Sequence, residues 1–163
     1  MAQAAQEVNH TVNVGDKAPA FSVASDSGES VSLQDFAGKN VVLYFYPKDD
    51  TPGCTAESKD FRDHKTEFDG CNTVILGVSK DSVKSHVKFK GKYNLPFVLL
   101  SDEALKLCED YGVWVEKSLY GKKYMGIDRS TFLIDGKGTV RKVWRKVKVG
   151  GHVKEVLEAA QAL

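Results

Sequence analysis

The sequence, 163 residues long, predicts an α/β protein built on a mixed sheet. Three observations carry that reading. Val41-Val42-Leu43-Tyr44-Phe45-Tyr46 and Val74–Val78 are continuous apolar runs, the pattern of strands covered on both faces. Between them lies a stretch rich in Ala, Glu, Lys and Asp, in which Phe61 and Phe68 fall seven apart on one helical face. Farther on, Ser130–Ile134 and Thr139–Arg145 flank Asp135-Gly136-Lys137-Gly138, a hairpin pattern. Strands joined through helices lie parallel, and a hairpin adds antiparallel neighbours, so the sheet is mixed.

The elements follow in order. Residues 1–13 read as a flexible tail and residues 14–163 as a single domain, with no linker, repeat or low-complexity run. Phe21–Val23 and Ser30–Leu33 flank Asp26-Ser27-Gly28 as a first hairpin. The run from Val41 is ended by Pro47 and is expected at the centre of the sheet. A helix is expected over Cys54–Phe68, beginning at or near Cys54. Ser82–Tyr93 is helical, with Val83/Val87 and Phe89/Tyr93 at i,i+4. After a short strand at Phe97–Leu100, Ser101 reads as the N-cap of a helix ending near Gly112. The last helix starts near Gly151-His152, with the stripe Val153, Val156, Leu157, Ala160, Leu163. This order resembles the thioredoxin fold, with an N-terminal hairpin extension and an inserted helix around Asp102–Gly112.

Composition narrows the function. With 23 basic and 22 acidic residues, the net charge of +1 creates no overall field toward nucleic acid or an anionic membrane. No apolar stretch approaches the roughly 18 residues that span a bilayer, and the polar Met1–Asn13 segment is no signal peptide. Three widely spaced cysteines, Cys54, Cys71 and Cys108, form neither a disulfide framework nor a C-x-x-C pair, which fits a reducing, cytoplasmic compartment. The four histidines fall at no metal-ligand spacing, so neither metal nor cofactor is expected.

The chemistry lies in Pro47-Lys48-Asp49-Asp50-Thr51-Pro52-Gly53-Cys54, where a strand ends, a helix begins and a thiol stands at the helix N-terminus. Such environments lower a cysteine pKa from about 8.5 toward roughly 3.5–7.5, and the thiolate is the nucleophile. A magnitude limits this effect. Lowering a thiol pKa to about 6 multiplies the thiolate at pH 7 roughly thirtyfold, and a Brønsted slope near 0.4–0.5 removes roughly tenfold of that. Catalysis therefore needs donors aimed at the bond being broken and at the departing atom. Thr51 offers a hydroxyl three residues before the thiol, and Arg129, beside Ser130 at the mouth of a strand, is the candidate cation.

Pro47-x-x-x-Thr51-x-x-Cys54 resembles the active-site signature of the peroxiredoxins. The segments 15–21, 43–55 and 128–135 are similar to the bacterioferritin comigratory protein (peroxiredoxin Q) subfamily, and the likeness runs from about Val14 to Leu163. The resemblance implies a thioredoxin fold and reduction of hydrogen peroxide and organic hydroperoxides through a sulfenic acid on a peroxidatic Cys54. It implies that Thr51 binds the peroxide, that Pro47 shields the thiolate, that Arg129 pairs with thiolate and peroxide, and that Glu57 orients this arginine. Thioredoxin, glutaredoxin or a low-molecular-weight thiol would return the electrons, and the protein would be a monomer or weak homodimer. Where many members of the subfamily carry a resolving cysteine, this sequence has Lys59 and Lys90.

Other readings of the same residues stand beside these. Cys71 and Cys108 are most simply core residues, with a resolving role for Cys108 as the alternative. The run Arg141–Lys148 reads as a strand with one solvated cationic face. A peroxide sensor would use the same thiolate on a protein partner. A general disulfide oxidoreductase is disfavoured because Thr51 stands where a C-x-x-C has its first cysteine.

Overall fold

The computed structural model describes residues 12–163. Five strands form the central sheet in the order β5-β4-β3-β8-β9. β3 (Asn40–Phe45) lies in the middle, as its unbroken apolar run requires, parallel to β4 (Thr73–Ser79) and antiparallel to β8 (Ser130–Ile134). β5 (Val98–Ser101) extends the parallel half and β9 (Val140–Trp144) the antiparallel half. This mixed sheet with helices on its faces is a thioredoxin fold.

Side chains alternate across β3, and each set seeds one half of the core. Val41, Leu43 and Phe45 point into a cluster with Phe132, Leu107, Cys108 and Tyr111. Val42, Tyr44 and Tyr46 point the other way, among Cys54, Phe61, Phe68, Phe89 and Val156. The second cluster is closed by helices α1 (Pro52–Asp63), α2 (Lys65–Gly70), α3 (Val83–Tyr93) and α5 (His152–Gln161). The first is closed partly by the short helix α4 (Lys106–Asp110). Hairpin β1 (Ser22–Ala24) and β2 (Ser30–Ser32) docks on the β5 edge, where the Asp26 amide donates to the Leu99 carbonyl at 2.9 Å.

Four expectations need correction. The single helix expected over Cys54–Phe68 begins at Pro52 and breaks at His64. There the His64 ring Nδ1 bonds the Asp60 carbonyl at 2.9 Å, the acceptor that the His64 amide would take in a continuous helix. Phe61 and Phe68 still meet across the break, 5.9 Å apart. Ser101 is no N-cap: it closes β5, and its hydroxyl donates to the Asp81 carbonyl. The Asp102 carboxylate instead accepts the amides of Leu107 and Cys108, so α4 starts at Lys106, after Leu105 in the left-handed region (φ 65°). Leu163 is exposed and leaves the stripe of α5. The cationic strand ends at Trp144, with Arg141 and Lys142 both exposed rather than alternating.

Most of the tail expected over residues 1–13 lies outside the described residues. Its last two members, Val12 and Asn13, are held: Val12 is buried and accepts from Arg145 at 3.0 Å, and the Asn13 amide donates to Asp16. A hairpin absent from the sequence reading, β6 (Trp114–Leu119) and β7 (Lys122–Ile127), turns at Tyr120-Gly121, both at positive φ.

Candidate active site

The site forms where β3 ends and α1 begins. Pro52 opens α1, its fixed φ suited to the first helical position and its missing N–H costing nothing there. Cys54 is therefore the third residue of the helix, in the turn whose amides have no helical acceptor upstream. Its side chain is buried, 1% exposed. Phe61 packs against Tyr44 at 4.5 Å, and Tyr44 and Ser58 share a 2.9 Å hydrogen bond, which together fix α1 on β3.

Arg129 arrives from the opposite side of β3, one residue before β8. The amide of Val147 holds its carbonyl at 3.0 Å, so the segment after β9 fixes the arginine backbone. The guanidinium spans two partners. Nη1 donates to Glu57 Oε1 at 2.7 Å, and Nη2 donates to Cys54 Sγ at 3.4 Å. A guanidinium only donates, so the sulfur is the acceptor.

Glu57 is fully buried one turn into α1, and its Oε2 has no hydrogen-bond partner among the described residues. Burial pushes its pKa up to about 7, with Arg129 pulling the other way but less strongly. Near neutral pH this carboxyl is thus divided between its acid and its anion, and the anion is the better partner for Arg129.

The structure brings Cys54, Arg129 and Glu57 into one hydrogen-bonded chain. Thr51 stands at the N-cap of α1, but its hydroxyl donates to the Lys48 carbonyl at 2.8 Å instead of capping the helix. Pro47 is half-buried at the exit of β3. Cys108 is not brought here. It is fully buried in the core cluster on the other face of the sheet, its amide donates to Asp102, and burial followed by the Asp102 charge pushes its thiol pKa far up. The sheet therefore stands between Cys54 and Cys108, against the resolving role read for Cys108.

Sequence reasoning missed the side chains that hold the loop before Cys54. Asp49 reaches Tyr46, Ser85 and His86, and Asp50, at φ 60°, accepts from Lys92 and Tyr93. The one signal available was the acidic doublet itself, next to a basic helix. Among the described residues no group of three or more His, Cys, Asp or Glu side chains could hold a metal ion, and no helix is long and apolar enough to cross a membrane.

A thioredoxin fold with a cysteine in the first turn of the helix after its central strand, beside an arginine, defines a class of thiol-reactive proteins. The profile of the AhpC/TSA family matches residues 14–143. Peroxiredoxin Bcp of Bacillus subtilis is 55% identical over 148 residues, covering 91% of this chain and 94% of the relative. Among solved structures, a PrxQ mutant from Xylella fastidiosa superposes with a TM-score of 0.89 at 39% identity, covering 94% of this chain and 98% of that one. Bacterioferritin comigratory protein of Xanthomonas campestris, solved in work on its alkyl peroxide reduction activity, gives 0.84 at 47%, covering 87% and 90%. The chain belongs to the AhpC/TSA family and, within it, to the Bcp (PrxQ) peroxiredoxins, which are thiol-dependent peroxidases.

Proposed function

We propose that Cys54 is the peroxidatic nucleophile of a reductase for hydrogen peroxide and organic hydroperoxides. The observation that carries this reading is the Arg129 guanidinium bridging Cys54 Sγ and Glu57. The Cys54 thiolate attacks the terminal oxygen of ROOH, an S–O bond forms as the O–O bond breaks, and the alkoxide leaves and takes a proton to become ROH. Cys54 is left as sulfenic acid. A thiol then displaces water to give a mixed disulfide, and a second thiol releases Cys54.

In this scheme Arg129 and the Thr51 hydroxyl stabilise charge on the departing oxygen, Glu57 aims Arg129, and Pro47 limits access of water to the sulfur. The alkyl peroxide activity of the Xanthomonas relative favours organic hydroperoxides among the substrates. Thioredoxin, glutaredoxin or a small thiol supplies electrons, in the reducing conditions of a cytoplasm, to a monomer or weak homodimer. One equivalent of peroxide followed by dimedone and peptide mass spectrometry tests the reading. The adduct is expected on Cys54, and an adduct confined to Cys71 or Cys108 would reject it.

A further inference from the structure

Asp49 lies two residues before Thr51, is only 7% exposed, and has no part in the chemistry above. Its Oδ1 accepts from the Tyr46 hydroxyl at 2.6 Å. Its Oδ2 accepts from the Ser85 hydroxyl at 2.8 Å and from His86 Nδ1 at 2.7 Å. Its amide donates to Asp81 Oδ2 at 2.8 Å. His86, fully buried on α3, uses its other nitrogen, Nε2, on the Leu100 carbonyl at 2.9 Å. A ring protonated on both nitrogens satisfies both partners, donating to the Asp49 carboxylate through Nδ1 and to the Leu100 carbonyl through Nε2.

A buried ion pair is a poor way to gain stability, because desolvating two charges cancels most of their attraction. Its location is the informative fact. The pair joins α3 to the loop between β3 and α1, and the neighbouring Asp50 repeats the grip at the surface through Lys92 Nζ (2.9 Å) and the Tyr93 hydroxyl (2.7 Å). One helix thus holds two consecutive residues of the segment that ends in Thr51.

We propose that Asp49 and His86 are positioning residues for peroxide reduction: their ion pair fixes the loop so that the Thr51 hydroxyl and the Cys54 sulfur address the same peroxide. The inference rests on the roles proposed above for those two residues. Displacing a catalytic group by about 1 Å costs up to about 100-fold in rate, and a loop gripped through exposed Asp50 alone has room to move that far.

The charged and titratable groups around His86 are Asp49 from the loop, Tyr46 from β3 and Asp81 from the β4–α3 turn. Burial pulls its pKa down, and the bonds to Asp49 and Leu100 outweigh it, leaving the net value raised. A raised histidine keeps its contribution below its ordinary pKa of about 6.5 and loses it as pH rises through the raised value. The grip therefore weakens on the alkaline side.

The experiment compares, by stopped flow from pH 6 to 10, the rate of Cys54 oxidation by hydrogen peroxide with its rate of alkylation by iodoacetamide. Their ratio cancels the ionisation of the thiol. In the unaltered protein the ratio is expected to fall at alkaline pH. In His86→Gln it is expected to be about ten- to a hundredfold lower at pH 7, with the alkaline fall gone. Ser85→Ala, which deletes one bond to Asp49 and leaves the ion pair, lowers it about threefold and keeps the fall. A folded His86→Gln protein with an unchanged ratio would overturn the proposal. If that variant does not fold, an unchanged ratio in Ser85→Ala would do the same. Turnover surviving in Cys54→Ser is a separate result, and it would reject the function proposed above rather than this inference alone.

Discussion

Gly53 and Arg129 meet so closely that a Cβ on the glycine would lie 3.1 Å from Nη2, the nitrogen that donates to Cys54. The second residue of α1 is therefore kept bare by an arginine from the far side of β3. Gly53→Ala leaves the helix no worse, since alanine is the better helix former. The guanidinium must instead move by a few tenths of an ångström while still bound to Glu57. Peroxide attack is expected to slow about three- to tenfold, with iodoacetamide alkylation and the melting temperature nearly unchanged. Loss of both rates in equal measure would show that the glycine serves the helix and not the arginine.

Removing the donors themselves has a larger effect. Arg129→Ala and Thr51→Val are each expected to lower the peroxide rate by about 10²–10³, the usual loss for a donor aimed at developing charge. Alkylation needs a thiolate but no donor to an O–O bond, so it should fall far less. Thr51 carries a further condition. Its hydroxyl now donates to the Lys48 carbonyl, so to donate to a peroxide it must release that acceptor. If Thr51→Val slowed both reactions alike, the hydroxyl would be a structural bond of the loop.

The site was legible in the sequence as far as local geometry reaches. Cys54 is announced by a strand, a proline stop and a helix start, all short-range signals. Arg129 was read as a candidate cation from its place at the mouth of a strand and Glu57 was named through the resemblance, while their contact depends on β3 pairing with β8, which brings together residues 72 positions apart. Asp49 and His86 went unread because a buried charge has no periodicity and its partner lies 37 residues away. Hairpin β6–β7 was missed for a related reason. Its strands are largely exposed, with Glu116, Lys117, Lys122 and Lys123 where alternating apolar residues would mark a sheet. The break at His64 hangs on one side-chain bond to Asp60, which a helical period does not reveal.

Glu57 predicts a pH dependence of both activity and stability. Its pKa is raised to about 7 by burial, so the folded state holds a proton that the unfolded chain releases near its ordinary value of about 4.3. Stability from this group is complete below that value and is lost as pH rises through about 7. Activity runs the opposite way, because the anion holds Arg129 more firmly. In the unaltered protein the ratio of peroxide attack to alkylation is expected to rise with pH across this window. Glu57→Gln should flatten the rise, slow peroxide attack about tenfold or more, and stabilise the fold at pH 8 by on the order of 1–3 kcal/mol. A variant less stable at pH 8 would mean that the ionised Glu57–Arg129 pair outweighs the burial of the carboxylate.

Recycling follows from where the other cysteines stand. Cys71 closes α2, and its carbonyl accepts from Asn40 at 3.5 Å at the start of β3. Cys54 follows the end of that strand, so the length of β3, five steps of about 3.3 Å, separates the two levels of the sheet. A disulfide needs Cα atoms within about 7 Å. Cys108 lies behind the sheet, buried, and burial followed by the Asp102 charge pushes its thiol pKa up, which disfavours the nucleophilic thiolate. The sulfenic acid on Cys54 is therefore expected to be resolved by an external thiol. A Cys71→Ser/Cys108→Ser protein should turn over within about twofold of the unaltered one when a small thiol is the reductant, because neither sulfur takes part. Without reductant, excess peroxide should carry Cys54 on to the sulfinic acid and inactivate the enzyme. Non-reducing peptide mapping after one equivalent of peroxide decides the matter. A quantitative Cys54–Cys108 disulfide would require α4 and its part of the core to open during each cycle, and would reinstate Cys108 as the resolving residue.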